Sequence, residues 1–346
     1  MERQYIVNGR FLSRKITGVE RYAIEILNEL DKLIKPGELQ LAVPIDANLP
    51  IYKNIKIVKV GHLKNILWEH ISFPIYALKN KLVPLNFCNV APLIYPGVVF
   101  VHDVKVKAKP EFFDWKFRLW YKILFANIAK RASKIVTVSE FSKKEICKYM
   151  KVNPAKVDVI PSAWSHFERI EEDENALNKY GLKAGNYYFS MSSLEPNKNF
   201  KWIAEVAKKY PNYLFAVAGS INNKVFSDGL GFECPENMKL LGYVSDGEAK
   251  CLMHNCKAFM FPTIYEGFGL PPLEAIGSGC KSAVISDTEV MYEIYGECGT
   301  YVNPMKYEFD EKDLKVIEEL QKDKLLNKFT WGGSAMLLQT LLQLRG

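Results

Sequence analysis

The chain holds only five histidines in 346 residues, and its seven cysteines include no Cys-x-x-Cys pair. No zinc-ligand spacing is present, so neither a structural metal site nor a disulfide framework is expected, and the thiols suit a reducing compartment. There is no internal repeat and no low-complexity tract, which excludes solenoid and fibrous classes. The opening Met-Glu-Arg-Gln lacks the basic-then-apolar pattern of a secretory leader, so a cytoplasmic location is expected. One uncharged stretch, Leu82 to Val101, reaches the length of a membrane span, but it carries Pro84, Asn86, Asn89, Pro92, Pro96 and Gly97. A spanning helix does not scatter such residues through its interior. The stretch reads instead as a turn-rich segment followed by a buried strand, Val98 to Val101.

What is present is ordinary globular material, 48% hydrophobic and 25% charged, in a chain long enough for two cores. Its net charge of +7 is unevenly placed. Residues 1–170 hold 28 Lys and Arg against 15 Asp and Glu, or +13, which leaves −6 for the remainder. Such asymmetry suggests that the first half meets a polyanion, a membrane surface or a nucleic acid, and no nucleic-acid recognition motif accompanies the charge.

Short β-branched runs alternate with helical patterns, which predicts parallel α/β sheets. The first series comprises Tyr5 to Arg10, a strand running into a loop, then Ile55 to Val60, Val98 to Val101, Ile135 to Val138 and Val157 to Ile160. An acidic stretch, Glu168 to Asn178, suits a connector. A second series follows: Tyr187 to Met191, Tyr213 to Ala218, Lys239 to Leu241, Ala258 to Phe261 and Ser282 to Ile285. The expected domains are residues 1–165, a linker 166–183, a second domain 184–328, and a closing segment 329–346 whose helix, Gly333 to Leu344, needs a docking surface. Two such halves place ligands at the C-terminal edges of their sheets.

The most informative stretch is Tyr265-Glu-Gly-Phe-Gly-Leu-Pro-Pro-Leu-Glu274, directly after the apolar run Ala258 to Phe261. A strand, a glycine-rich turn and a helix opening on proline form an anion site from turn N–H groups and the helix dipole. Glu274 lies over that first turn, where it either complements the dipole or accepts hydrogen bonds from ribose hydroxyls. Glu266 stands before the glycines, on the side of whatever a bound phosphate carries. Gly18 opens another helix and supplies a second candidate anion site.

The whole run Glu266, Gly267, Phe268, Gly269, Leu270, Pro271 and Glu274 resembles the E-x7-E signature of retaining GT-B glycosyltransferases, family 4 in particular. Asn8 to Leu12, Thr17 to Ala23, Val101-His102-Asp103, Val136 to Ser142, Val159 to Pro161, Ser193 to Asn199, Gly242-Tyr243-Val244 and Phe329-Thr330-Trp331 fall in the order that family shows. The resemblance is to members from bacterial surface-polysaccharide pathways and covers almost the whole chain.

It implies two Rossmann-like domains with parallel sheets facing a cleft, and a C-terminal helix crossing back to the first domain. It further implies a nucleotide-diphosphate sugar donor, with Lys198 on the diphosphate, Glu266 at the donor sugar, His102 at the reaction centre and Glu274 at the ribose. Glu266, His102 and Lys198 are the catalytic candidates. Gly18, Tyr243, Val244, Gly267, Phe268, Gly269 and Leu270 complete the donor side, and Asp103 and Arg21 belong to the acceptor or sugar side. Two simpler readings compete: a solvated helix-start lysine for Lys198 and a structural strand-end histidine for His102. The chain contains no Asp-x-Asp, so no metal and no cofactor are expected.

Asn197 and Ser192 stand where the family often carries an arginine; Arg21 or Lys281 is the candidate replacement. The expected reaction is retaining transfer of a hexose, with GDP-mannose ahead of UDP-glucose, to a saccharide or lipid-linked saccharide. A sugar-nucleotide epimerase and a non-catalytic nucleotide-sugar-binding partner remain the alternatives. The segment Phe112 to Phe125 mixes aromatics with cations as interfacial helices do, so peripheral contact with an anionic inner membrane face is a further expectation, while a buried helix explains its apolar residues equally well.

Overall fold

Tyr5–Asn8 (β1) forms a strand because four successive residues are buried on both faces, the pattern of a parallel sheet covered by helices. The computed structural model describes residues 4–193, 195–219 and 233–344. The chain divides into two units, residues 1–162 with 330–346, and residues 163–329.

The first unit is built on seven strands: β1, Leu39–Val43 (β2), Lys56–Lys59 (β3), Val83–Asn86 (β4), Val98–Phe100 (β5), Lys134–Thr137 (β6) and Val157–Val159 (β7). All pair in parallel in the order β3-β2-β1-β4-β5-β6-β7. The order reverses direction at β1 and β4, so the switch point opens at the C-terminal ends of those strands. The helix Gly18–Leu33 begins with a capping box between Thr17 and Glu20 and buries Tyr22, Ala23, Ile26, Leu27 and Leu30. The closing helix Trp331–Leu342 packs on it: the Tyr22 and Trp331 rings meet edge to face at 5.4 Å, and Gln339 donates to the carbonyl of Leu33. Thr330 caps this last helix by accepting from the Gly333 N–H, so it starts two residues before the expected Gly333.

The Leu82 to Val101 stretch contains a strand where only turns were expected. β4 includes Pro84, which sits opposite Ile6 in the interior of the sheet. Proline argues against a central strand because it has no N–H to give. Here Asn86 ties the region together instead, donating to the carbonyls of Pro96 (2.7 Å) and Val98 (3.3 Å).

The second unit carries Tyr187–Met191 (β8), Leu214–Ala218 (β9), Met238–Gly242 (β10), Ala258–Phe261 (β11), Ala283–Ser286 (β12) and Thr300–Val302 (β13). They too are parallel, in the order β10-β9-β8-β11-β12-β13, with the switch point at β8 and β11. Trp202, Ile203 and Val206 of the helix Phe200–Lys209 fill its core with Tyr188, Phe215 and Met260. The acidic connector does not hang free. It forms a 3-10 turn, Ser165–Arg169, and a short helix, Ala176–Tyr180, both held to the helix Asp246–Asn255. Lys250 donates to the carbonyls of Phe167 and Ile170 (2.7 and 2.8 Å), and Lys179 pairs with Glu248. Among the described residues no helix is long and apolar enough to cross a membrane.

Candidate active site

At the switch point of the second sheet, two loops meet. One leaves β8 and carries Lys198; the other leaves β11 and carries Glu266. Lys198 Nζ donates to Glu266 Oε1 at 2.6 Å, and both side chains are mostly buried, at 15% and 13% exposure. The ammonium also lies 5.5 Å from the centre of the Phe261 ring, a cation–π distance. A lysine held this way is not a solvated helix-start residue.

The loops are stapled by asparagines. Asn197 is buried and donates to the carbonyl of Tyr265 (3.1 Å), while its own carbonyl accepts from the Ile264 N–H (2.7 Å). Asn199 takes a left-handed backbone, with φ of 59°, and donates to the carbonyls of Pro262 and Pro304. The position where the resemblance led one to look for arginine is therefore occupied by a structural amide. Lys281 does not replace that arginine. It precedes β12, at the N-terminal edge of a parallel sheet whose C-terminal edge bears Lys198 and Glu266.

Past Glu266 the chain turns into the helix Leu270–Gly277, which opens one residue before the two prolines. Gly269 caps it with φ of 85°, and a Cβ there would come within 2.4 Å of Met291 Cε. The backbone angle demands glycine, while the nearest atom, a methionine's terminal methyl, can move aside. Tyr295 donates its hydroxyl to the Gly269 carbonyl. Burial, reinforced by the charges of Glu274 and Glu266, pushes this phenol well above its ordinary pKa. The charges at both ends of the E-x7-E run thus act on one tyrosine. Phe268 is buried edge-on against Phe329, with ring centres 5.3 Å apart, so it supports the turn from beneath. Gly267 precedes it in the same turn.

Glu274 is buried on the helix, and its Oε1 lies 3.3 Å from Nε2 of His166. His166 had no motif around it in the sequence; only the fold brings it to the carboxylate. Tyr243 is 70% exposed beyond β10 and Val244 beside it is buried, so of the pair Tyr243 presents its side chain to solvent.

In the first unit, Gly18 opens its helix with free space around it. The Glu20 carboxylate is close by and accepts from Thr17, with Arg14 at 3.7 Å, so an anion at Gly18 would share that end with a carboxylate. Arg21 is half-buried one turn on. His102 follows β5 and is buried; its Nε2 donates to the Phe87 carbonyl at 2.7 Å, and Tyr22 meets it edge-on at 4.9 Å. Burial pushes its pKa down, which keeps the imidazole neutral. Asp103 accepts from the Lys105 N–H at 2.8 Å and so serves the local turn.

A further polar cluster escaped sequence reading. Glu69 is buried on a π-turn, Trp68–Ser72, where it accepts from Asn8 Nδ2 (2.9 Å) and pairs with Arg10, with Arg14 at 3.9 Å. Asn8 also donates to Asn86 (2.9 Å), tying this cluster to the β1 and β4 ends. Among the described residues, no three His, Cys, Asp or Glu side chains group as a metal site would require.

Two family models match consecutive parts of the chain. "Glycosyltransferase Family 4" covers residues 16–163 and "Glycosyl transferases group 1" covers residues 172–328. The chain belongs to the family 4 glycosyltransferases. Its fold is GT-B, two Rossmann-like parallel sheets.

The glycosyltransferase is 25% identical over 340 residues to the O-antigen chain mannosyltransferase RfbU of Salmonella typhimurium, with 91% of each chain covered. It is 26% identical over 240 residues to an Escherichia coli UDP-Gal:alpha-D-GlcNAc-diphosphoundecaprenol alpha-1,3-galactosyltransferase, covering 61% of this chain and 60% of the other. Among solved structures, HepE of Anabaena, in complex with UDP and glucose, superposes with a TM-score of 0.71 at 16% identity, covering 99% and 100% of the two chains. Sucrose-phosphate synthase of Thermosynechococcus elongatus gives 0.72 at 14% identity, covering 99% and 98%. At those identities the structures speak for the fold of this glycosyltransferase alone.

Proposed function

We propose that this glycosyltransferase moves a hexose, with retention of anomeric configuration and without a metal ion, from a nucleotide-diphosphate sugar to a saccharide or lipid-linked saccharide in surface polysaccharide synthesis. The observation that carries the reading is the Lys198–Glu266 pair at the β8 and β11 switch point, beside the glycine turn. A departing diphosphate needs positive charge, and Lys198 with the N–H groups of Gly269 and Leu270 supplies it. Glu266, released from Lys198 by the incoming phosphates, accepts hydrogen bonds from donor sugar hydroxyls, and Glu274 does the same for the ribose. His102, neutral and fixed by Phe87, is assigned to the transferred sugar. Gly18, Arg21 and Tyr243 are assigned to the remaining ligand contacts.

In the reaction itself, the sugar C1–O bond to the diphosphate breaks, with its electron pair leaving on the phosphate. The acceptor hydroxyl attacks C1 on the same face, and its proton passes to the departing phosphate oxygen. A double displacement would need a nucleophile about 5 Å from a second acid, and Glu266 is assigned instead to the donor sugar hydroxyls. GDP-mannose is the first donor to test, supported by the named mannosyltransferase relative, and UDP-glucose the second.

Titration with both sugar nucleotides in excess chelator tests the donor and the metal together. A response to neither overturns the reading, and activity abolished by chelator overturns metal independence. Proton NMR of the fresh product reads the anomeric outcome. Glu266→Gln retaining most of its kcat would remove that carboxylate from the mechanism.

Membrane contact is part of the proposal. The helix Trp115–Arg131 exposes Trp115 (66%), Leu119 (50%) and Ile123 (49%) between the exposed cations Lys116, Arg118 and Lys122. That arrangement fits an anionic interface, where a lipid-linked acceptor would be held.

A further inference from the structure

Glu274 carries its carboxylate at 9% exposure, and a buried carboxylate needs a partner to hold its orientation. Among the described residues, His166 is the polar side chain at pairing distance: its Nε2 lies 3.3 Å from Glu274 Oε1, ion-pair distance rather than an aligned hydrogen bond. The imidazole is itself buried, its ring edge-on to Phe167 at 4.9 Å.

A second contact shows that the turn bearing His166 is seated on this helix by design of the packing. Glu274 and Gly277 are three residues apart and so share a helix face. Trp164 and His166 are two apart on the facing segment. Trp164 lies so close to Gly277 that a Cβ there would sit 2.1 Å from the indole Cε3. The indole is fixed in turn by its Nε1–H, which donates to the Leu326 carbonyl at 3.0 Å, and the Ser165–Arg169 turn is anchored by Lys250 on the Phe167 and Ile170 carbonyls. The imidazole therefore reaches the carboxylate from a rigid platform, with one carboxylate oxygen facing His166.

We infer that His166 is a positioning residue for donor recognition: it holds one oxygen of Glu274 so that the other is presented to the two ribose hydroxyls. This rests on the assignment of Glu274 to the ribose. His166 acts through Glu274 and touches no reacting atom. His166 Nε2 faces one carboxylate oxygen at 3.3 Å, and the ribose hydroxyls donate to the other, so the carboxylate stays an acceptor toward the nucleotide. Loss of the imidazole leaves the carboxylate free to turn away, which weakens the nucleotide only through its sugar hydroxyls.

The test is calorimetric titration of the full chain with GDP, UDP and the 2′,3′-dideoxy form of each, comparing wild type with Glu274→Gln, His166→Ala, His166→Phe and His166→Gln. Phenylalanine keeps the ring and its contact with Phe167; glutamine keeps an N–H donor. The wild type is expected to prefer the ribonucleotide, and Glu274→Gln to abolish the preference. His166→Phe and His166→Ala should cut ribonucleotide affinity about five- to twenty-fold while leaving the dideoxy form unchanged, the scale of one or two hydrogen bonds. His166→Gln should recover most of the loss.

If Glu274→Gln abolishes the preference but His166→Phe keeps it, the positioning role is overturned and the ribose assignment stands. Equal losses on both nucleotide forms reduce His166 to a packing residue and overturn the role as well. A wild type that ignores the ribose hydroxyls, a Glu274→Gln variant that keeps the preference, or no binding of either nucleotide overturns the ribose assignment and this inference with it. Failure of the Phe variant to fold, with its ring contact preserved, likewise overturns a role confined to positioning.

Discussion

Among the described residues, the switch point between β8 and β11 in the second unit pairs the Lys198 ammonium with the Glu266 carboxylate, and the Asn197 and Asn199 amides staple the loops. In the first unit the equivalent point, between β1 and β4, holds Arg10 and Arg14 against Glu69 and Glu20, tied in by Asn8 and Asn86. The two sheets share their topology, yet one concentrates charge in a pair and the other spreads it through a network. Surfaces differ in the same sense. Among the described residues, the large apolar side chains exposed on the second unit, Tyr243, Tyr292, Met305, Val316 and Leu320, are scattered. The first unit exposes Ile66, Leu67, Ile71, Ile75 and Leu78 along one helical run and Trp115, Phe117, Leu119 and Ile123 along another, and the His70 and Trp120 rings join the two runs at 5.6 Å. A concentrated site fails to one substitution, whereas a distributed surface fails only to several.

The largest effect should therefore come from Lys198. Replacing it by alanine removes the one ammonium of the pair and leaves Glu266 buried without it; kcat/KM should fall about 10²- to 10³-fold, the cost of removing one preorganised charge-stabilising group. The measurement is steady-state transfer, with circular dichroism to show an intact fold. A loss below threefold would mean that the second unit is no more concentrated than the first.

Gly269→Val comes next, and it strikes the same turn through the backbone. It places a β-branched residue at φ of 85°, a backbone strain of roughly 1 to 3 kcal/mol, and makes the Met291 methyl move aside. Thermal unfolding should show a drop of several degrees. An unchanged midpoint would mean that the turn yields where its geometry says it cannot.

A smaller, pH-dependent effect belongs to the first unit. His102 has its pKa lowered, first by burial, so the folded state resists the proton that the unfolded chain accepts near pH 6.5. Its contribution is present in full above about pH 6.5 and is lost as pH falls below that value, at about 1.4 kcal/mol per unit of depression. His70 is also lowered, with burial the leading cause, and adds in the same direction. Melting temperature measured from pH 7.5 to 5 should fall, and His102→Asn should fall less steeply. Identical slopes would remove His102 from the account.

What could be read in advance follows the same division. The E-x7-E turn was legible because its chemistry is contiguous: a strand, then two glycines, two prolines and two acids within ten residues. Parallel architecture was legible because buried strands are apolar on both faces, as Tyr187–Met191 and Ala258–Phe261 are. β4 was hidden by Pro84, and neither Leu39–Val43 nor the edge strand Thr300–Val302 was among the expected runs. His166 and Glu69 were hidden for another reason. Each meets its partners across 55 to 108 positions of sequence, and nothing local to Trp164-Ser-His-Phe or Trp68-Glu-His marks a carboxylate or a guanidinium as neighbour. Asn197 stands where an arginine was expected, and its buried role as a loop staple needed the Tyr265 carbonyl to be in view.

The smallest effect on the isolated protein should come from the exposed face of the helix Trp115–Arg131. Trp115, Phe117 and Leu119 are exposed, and their replacement together by serine should change stability by less than about 0.5 kcal/mol per site, because little packing is lost. Transfer to a soluble acceptor should be unaltered. Flotation with vesicles is where the change should appear: wild type should bind vesicles rich in phosphatidylglycerol more than purely zwitterionic ones, and the triple variant should bind neither. Single substitutions should each remove only part of the binding, as a distributed surface requires. Binding by wild type that ignores the anionic lipid would detach the +13 of the first 170 residues from any membrane role. Full binding by the triple variant would move the interface elsewhere on the first unit, with the Ile66 to Leu78 run the next face to change.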